Sequence, residues 1–156
     1  MKNNKRRTMT TLTAAVVMSA AGIASTASPA VAAPKVSFST TGERADGSRY
    51  ISIGIDGAAA GFVLWAADPD SSEWSSKGDT LVVNDSRTDG MSTSATVVQA
   101  GSGSTYLLSA STSGLKAPAT VRKTKNATEE KKLLVRPCVY KGSAMVACGP
   151  YYSIHA

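Results

Sequence analysis

The sequence predicts an all-β protein, an antiparallel β-sandwich that follows a cleaved signal peptide. Apolar residues alternate with small polar ones, as Ile51, Ile53 and Ile55 do, and this period of two is typical of strands with one buried face. Short turn-forming segments that contain glycine separate such runs. No stretch after residue 33 has apolar residues at the spacing of a helix. Short strands at this spacing are typical of antiparallel sandwiches and barrels.

Ten runs carry the alternation. They are residues 36–39, 51–55, 62–67, 80–84, 95–99, 106–110, 119–122, 133–140, 145–148 and 151–154. The turn signals between them are Asp46-Gly47, Asp56-Gly57, Lys77-Gly78, Asp89-Gly90, Gly101-Ser102-Gly103 and Gly149-Pro150. The nearest approach to a helix is residues 126–132, where Asn126 or Thr128 could cap one helical turn. At this length we expect a sandwich, immunoglobulin-like or similar, with Trp65 in its core.

The first 32 residues have the three parts of a secretory signal. Lys and Arg occupy four of positions 2–7, an Ala-rich apolar run follows at 12–24, and Ala30-Val31-Ala32 offers a cleavage site. The run is shorter than the roughly 20 residues that a membrane-spanning helix needs. We therefore predict cleavage after Ala32 and a secreted, extracellular chain with no membrane anchor. The Arg6-Arg7 pair leaves twin-arginine export open beside the general route.

Residues 33–156 then form a single domain of 124 residues, long enough to bury its own core. The formal net charge of +6 falls to +2 without the signal, because 13 basic residues then stand against 11 acidic ones. Residues 33–90 hold five basic and nine acidic side chains, whereas 91–156 hold eight and two. The densest basic stretch, 116–132, contains no aromatic residue, so we predict no nucleic-acid partner.

The two cysteines predict one structural disulfide. An even number of cysteines in an exported chain favours pairing, and two thiols with no nearby His make an incomplete metal or redox site. If the chain reverses at residues 142–144, Cys138 lies directly opposite Cys148, and Tyr140 lies opposite Val146. Directly opposed strand positions are close enough for a disulfide.

Residues 78–90 have the sequence GDTLVVNDSRTDG, and two later segments are Val135-Arg136-Pro137-Cys138 and Ala147-Cys148-Gly149-Pro150. Together they resemble a pattern in small secreted proteins of actinobacteria, in which a strand ending in Cys precedes a second, hairpin Cys. The resemblance covers about residues 62–156. It implies the fold and an extracellular setting, and no activity.

A second resemblance lies upstream. Ala33-Pro34, residues 36–39, Asp46-Gly47 and residues 57–61 are similar to the opening of the enediyne chromoprotein apoproteins. Those are secreted actinobacterial sandwiches that hold a reactive chromophore in a cleft and use two disulfides, whereas this chain has cysteines for one. The resemblance implies no binding residue here.

Nucleophilic catalysis requires a base beside the nucleophile, and the single histidine is His155. Its place beside the end of the chain predicts a tail or strand-end residue, and no Gly-x-Ser-x-Gly elbow is present. We predict no catalytic residue and no cofactor. Asp85 and Asp89 are expected to hydrogen-bond their own backbone in a turn before Gly90.

The polar loop 68–79 is the predicted binding region. Asp68, Asp70 and Trp74 are its candidate residues, Trp74 because a large ring there is either a plug over one end of the sandwich or an exposed recognition residue. Oxygen-bearing residues at alternate positions suggest a calcium loop, but Glu73 stands where that loop needs Gly, and Asp79 stands where it needs Glu. We therefore predict turn residues and no metal. Paired carboxylates for hydrolysis are the other possibility for this loop.

These observations favour a non-enzymatic extracellular β-domain that acts by binding or by persisting in the envelope. Its partner is expected to be an extracellular protein, a polymer or a small ligand. A small-ligand carrier similar to the chromoproteins would need an apolar cleft between the sheets. A secreted protease inhibitor would need a rigid protruding loop, and an enzyme would need a clustered acid pair in a groove.

Overall fold

Ten strands and no helix make up the part of the chain that the computed structural model describes, residues 32–69, 77–101 and 105–156. The strands are β1 Val36–Glu43, β2 Arg49–Ile55, β3 Ala58–Ala66, β4 Thr80–Asp85, β5 Met91–Gln99, β6 Tyr106–Ser111, β7 Ala119–Thr124, β8 Lys132–Lys141, β9 Ala144–Cys148 and β10 Tyr152–His155. No helix in these ranges could cross a bilayer.

The strands form two antiparallel sheets that pack face to face, so the predicted β-sandwich is confirmed. The first sheet has the order β1-β2-β3-β4-β7, and the second has the order β10-β8-β5-β6 with β9 also paired to β8. Along β8, β10 pairs with its first residues and β9 with its last, so both short strands share one edge of β8. Residues 33–156 make one compact unit.

The inward positions of both sheets fill the space between them. Ile51, Ile53 and Ile55 are at most 4% exposed, as their alternation predicts, and Val97 and Val135 face them from the second sheet with no exposure. Dispersion and hydrophobic burial on this scale are what hold a sandwich of this size together. The centre of the sandwich is therefore packed with side chains.

Trp65 joins the core to the last strand. Its ring has no exposure, and its Nε1 donates a hydrogen bond of 2.7 Å to the carbonyl oxygen of His155. The amide of His155 donates to the carbonyl of Gly47, and Arg49 Nε donates to the carbonyl of Ser153 at 2.8 Å. Strand β10 is thus bonded to the second sheet on one side and to the first sheet on the other.

The β8–β9 hairpin contains the predicted disulfide, and Cys138 lies opposite Cys148. The predicted pairing of Tyr140 with Val146 is wrong, since Tyr140 lies opposite Met145. The reversal is a tight two-residue loop that begins at Gly142, whose positive φ of 60° suits glycine. A β-bulge at Val146 then adds the residue that restores the cysteine pairing.

The turn predictions hold where a side chain bonds its own backbone. Asp85 Oδ1 accepts from the amide of Arg87 at 3.1 Å, and Asp89 Oδ1 accepts from the amide of Met91 at 3.0 Å. Residues 126–132 form an irregular turn and no helical turn. The helical path is interrupted there because Glu130 has a positive φ of 61°.

Candidate functional site

Of the three binding residues that the sequence predicts, Asp68 lies within the described structure. It lies two residues after the last residue of β3, at one end of the sandwich. Asp70 and Trp74 lie outside the described residues. The site is therefore built from the residues around Asp68 and from the faces of the two sheets.

Asp68 lines a cavity of about 440 Å³ at the end of the sandwich, which we call the acidic end cavity. Five carboxylate residues line it, namely Glu43, Asp46, Asp68, Glu129 and Glu130. Arg44 and His155 are the basic residues of its described lining, which includes no Ser, Thr or Cys. The cavity has the charge to attract a cation and no hydroxyl or thiol nucleophile in that lining.

Glu43 is already held on two sides in this cavity. Its carboxylate contacts Nδ1 of His155, the last residue of β10, and Arg49 lies 3.7 Å from its second oxygen. A carboxylate with a guanidinium and an imidazole beside it is tied to those partners, so this group serves to dock β10 against β1 and β2.

A second cavity of about 380 Å³ shares Asp68 and Glu129 with the first and reaches Asp79. Asp79 is 6% exposed, and its Oδ2 accepts a hydrogen bond of 2.8 Å from the amide of Ala127, whereas its Oδ1 has no partner among the described residues. Burial raises the pKa of Asp79, and the negative charge of Asp68 raises it further, against the lowering effect of the Ala127 amide.

The described residues contain no group of three or more His, Cys, Asp or Glu side chains that could hold a metal ion. Asp68 and Asp79, which the sequence places at the first and twelfth positions of a calcium-like loop, line one cavity without forming such a group.

The outer face of the second sheet carries a different surface. Its strands β5 and β6 present Ser and Thr outward at alternate positions, and register places Ser94 opposite Ser111 and Thr96 opposite Ser109. On the other side of β5, Ser92 lies opposite Tyr140 of β8. Directly opposed positions of this kind bring Cβ atoms within about 5.5 Å.

All of these residues except Ser92 line a shallow groove of about 350 Å³, which we call the hydroxyl groove. Its hydroxyl-bearing residues are Ser94, Thr96, Ser109, Ser111, Ser113, Tyr140 and Ser143. The remaining lining residues are Ala and Gly, so none of the described lining is charged. The side-chain hydroxyls of Ser94, Thr96 and Tyr140 make no hydrogen bond to any residue that the structure describes.

Exposed aromatic residues border this groove. Tyr106 is 60% exposed, and its hydroxyl lies 3.1 Å from Ser109 Oγ, a hydrogen bond that lays the ring beside the groove. Tyr151 is 51% exposed and stacks under the guanidinium of Arg136 at 5.2 Å. Met145, opposite Tyr140, is 62% exposed. Exposed side chains of this size on one face are typical of a binding surface.

The sequence contains a signal for this face that the predictions did not use. In strands 95–99 and 106–110 the apolar residues of the alternation point inward, so the intervening Ser and Thr must point outward together. What the alternation leaves open is the order β8-β5-β6, which places the hydroxyl rows of β5 and β6 side by side, with Tyr140 of β8 next to them.

No family model matches the chain, and no curated protein and no solved structure matches it either. The resemblances to small secreted actinobacterial proteins and to chromoprotein apoproteins therefore stay predictions.

Proposed function

We propose that this chain is exported and acts outside the cytoplasm as a binding domain without chemistry of its own, and that it binds through the outer face of its second sheet. The hydroxyl groove is the observation that carries the proposal. Hydroxyls with no hydrogen bond to a described residue lie there on a central strand, β5, that is hydrogen-bonded on both sides, and Tyr106 and Tyr140 lie on the flanking strands β6 and β8. A surface fixed in this way loses little conformational entropy when a ligand binds.

The disulfide supports the extracellular setting. Cys138 and Cys148 account for both cysteines of the chain, and such bonds persist in oxidising compartments. The bond ties β9 to β8 beside the groove, so it also fixes the hairpin that contributes Tyr140 and Ser143 to the groove lining.

The packed centre of the sandwich argues against a small-ligand carrier of the chromoprotein kind. Trp65, Ile53 and Val97 are at most 1% exposed and occupy the space in which an enclosed ligand would lie. A ligand must therefore bind on the outside of the sheets or at their ends.

A hydrolytic enzyme is the second candidate, because five carboxylates line the acidic end cavity. Hydrolysis by paired carboxylates needs two of them held across a substrate cleft. The contacts of Glu43 with Arg49 and His155 favour a docking role for that residue instead. If Glu43→Gln or Asp68→Asn abolished a measurable release of reducing ends from envelope polysaccharide, this candidate would replace the binding proposal.

The proposal is tested by following where the chain goes after export. The protein, expressed in the organism that makes it, should sediment with the envelope, and Tyr106→Ala together with Tyr140→Ala should release most of it into the medium. Tyr50→Ala is the matched control, since Tyr50 is an exposed tyrosine on the other sheet, where it stacks on Phe62 at 5.0 Å. Equal retention of all variants, with unchanged melting temperatures, would refute binding through this face.

A further inference from the structure

From the chemistry of the hydroxyl groove we infer that its ligand is an uncharged polysaccharide of the extracellular envelope or matrix. The inference rests on the proposed function and specifies the ligand class of the same face. It follows from four properties of the groove: its lack of charge, its pattern of hydroxyls, its bordering aromatic rings and its length.

The lack of charge in the described lining argues against an anionic polymer. None of the described lining residues is Lys, Arg, Asp or Glu. Arg136 of β8 lies opposite Thr96, and its guanidinium already contacts other residues. Its Nε donates to the carbonyl of Gly149 at 3.2 Å, and its guanidinium stacks over Tyr151. A phosphate- or carboxylate-rich polymer would find no cation in the described lining, and beside it an Arg136 whose Nε is already engaged.

The hydroxyls of the groove can both donate and accept hydrogen bonds, as sugar hydroxyls can. A Ser or Thr hydroxyl both donates and accepts, as each sugar hydroxyl does, so the two can pair in either direction. Ser94 and Thr96 on β5 are two positions apart and point the same way, which places hydroxyls about 7 Å apart along the strand. Each has a second hydroxyl across the sheet, on Ser111 and Ser109.

The tyrosines supply the apolar half of the recognition. Sugar rings have C–H faces that pack on aromatic rings, and a tyrosine offers such a surface together with a polar tip. Tyr140 lines the groove itself, and Tyr106 borders it with 60% of its surface exposed. Their partner positions on β5 are Ser92 and Val98, six residues apart, which corresponds to about 20 Å.

The length and openness of the surface favour a chain over a single sugar. A strip of about 20 Å with a tyrosine near each end is longer than one ring and is shaped for several units of a polymer. A protein partner fits the groove less well, because the centres of protein interfaces are rich in apolar and aromatic contacts. On β5 and β6 the floor between the two tyrosines is Ser, Thr and Ala, and Cys138 and Arg136 of β8 lie opposite Ser94 and Thr96.

The test uses the secreted chain and three immobilised fractions of the envelope: neutral polysaccharide, anionic polysaccharide and protein. We expect retention on the neutral fraction, little changed between low and high salt because no ion pair is involved. Ser94→Ala with Thr96→Val removes two hydroxyls with little change of shape and should weaken that binding about tenfold. Ser39→Ala with Ser52→Ala is the matched control, since these exposed serines are opposed on the first sheet. The control should bind like the parent.

The outcomes separate the two proposals. Binding to the protein or anionic fraction that depends on Tyr106 and Tyr140 would overturn the polysaccharide inference and leave the proposed binding face intact. If the groove variant (Ser94→Ala with Thr96→Val) and the control variant (Ser39→Ala with Ser52→Ala) bound the neutral fraction equally well, the assignment of the groove as the binding site would be overturned. Retention on none of the three fractions would overturn the inference and the proposed function together.

Discussion

Removal of the disulfide is the change whose effect on stability can be worked out most fully. The double variant Cys138→Ser with Cys148→Ser replaces both half-buried sulfurs with hydroxyls. Cys138 lies opposite Ser94, so a hydroxyl there meets a polar neighbour and open solvent. The folded hairpin should therefore keep its shape, and the main effect should fall on the unfolded chain.

The magnitude follows from the loop that the bond closes. The cysteines are 10 residues apart in sequence, and in the chain-entropy model a loop of that length restricts the unfolded state by about 3 kcal/mol. Spread over a domain of 124 residues, that loss corresponds to a fall of about 10 °C in melting temperature. Little buried apolar area is lost, so core packing should contribute little to the change.

Urea unfolding followed by circular dichroism measures the effect. The oxidised parent, the parent in reductant and the double variant form one series, and the last two should agree in the free energy of unfolding. A loss below about 0.5 kcal/mol would refute the reasoning, because the unfolded chain would then be as free with the bond as without it. The reduced forms should also bind the neutral polysaccharide fraction more weakly, since the hairpin carries Tyr140 of the groove.

Three further predictions concern packing, pH and export. Gly61→Ala should lower the free energy of unfolding in urea by about 3 kcal/mol or more, because the new Cβ would lie 2.2 Å from the backbone oxygen of Asn84. Gly54→Ala should lower it less, because its Cβ meets a side-chain oxygen that can move. Equal losses for the two variants would contradict this explanation. Because burial raises the pKa of Asp79 above its ordinary 3.8, the folded chain holds the proton more tightly there, and stability should fall as pH rises through the window that begins at that value. Asp79→Asn should remove this part of the fall, so its stability relative to the parent should rise from pH 3.5 to pH 7, and parallel curves would refute the assignment. Mass spectrometry of the exported chain should find Ala33 as its first residue; an intact residue 1–32 segment would contradict the predicted signal.

The positions of most strands were predictable because one face of the strand is buried and the other is not; β4, with Leu81, Val82 and Val83 all unexposed, is buried on both faces. Every one of the ten predicted runs overlaps one of the ten strands, since alternation is a direct record of which side faces the core. The strand starts were less predictable. Strand β5 begins at Met91, four residues before its predicted start, because Thr93 is buried without being apolar. Its amide donates to the hydroxyl of Thr112, which in turn donates to the carbonyl of Thr93.

The hairpin register shows why local patterns do not determine every contact. Spacing alone placed Cys138 opposite Cys148, and that pairing is present. The same spacing fits a three-residue loop or a two-residue loop with a bulge, and only the second is found. Which of them forms depends on how Val146 packs on the core, and that packing is a property of the assembled sheets.

The candidate site was the least predictable part. The sequence drew attention to the loop 68–79 because charged and aromatic residues there are conspicuous. The hydroxyl groove is built from Ser and Thr that are inconspicuous one by one, and it exists because β5 is flanked by β6 and β8. Strand order of this kind depends on pairing between segments far apart in sequence, and local alternation contains no information about that pairing.

Amide chemical-shift mapping tests the central claim most directly. The secreted chain, labelled with ¹⁵N, would be titrated with the neutral polysaccharide fraction while shifts are followed residue by residue. If the claim is correct, the largest changes fall on Ser94, Thr96, Ser109 and Ser111 of the hydroxyl groove. Changes concentrated instead around Asp68 in the acidic end cavity, or none at saturating polysaccharide, would contradict it.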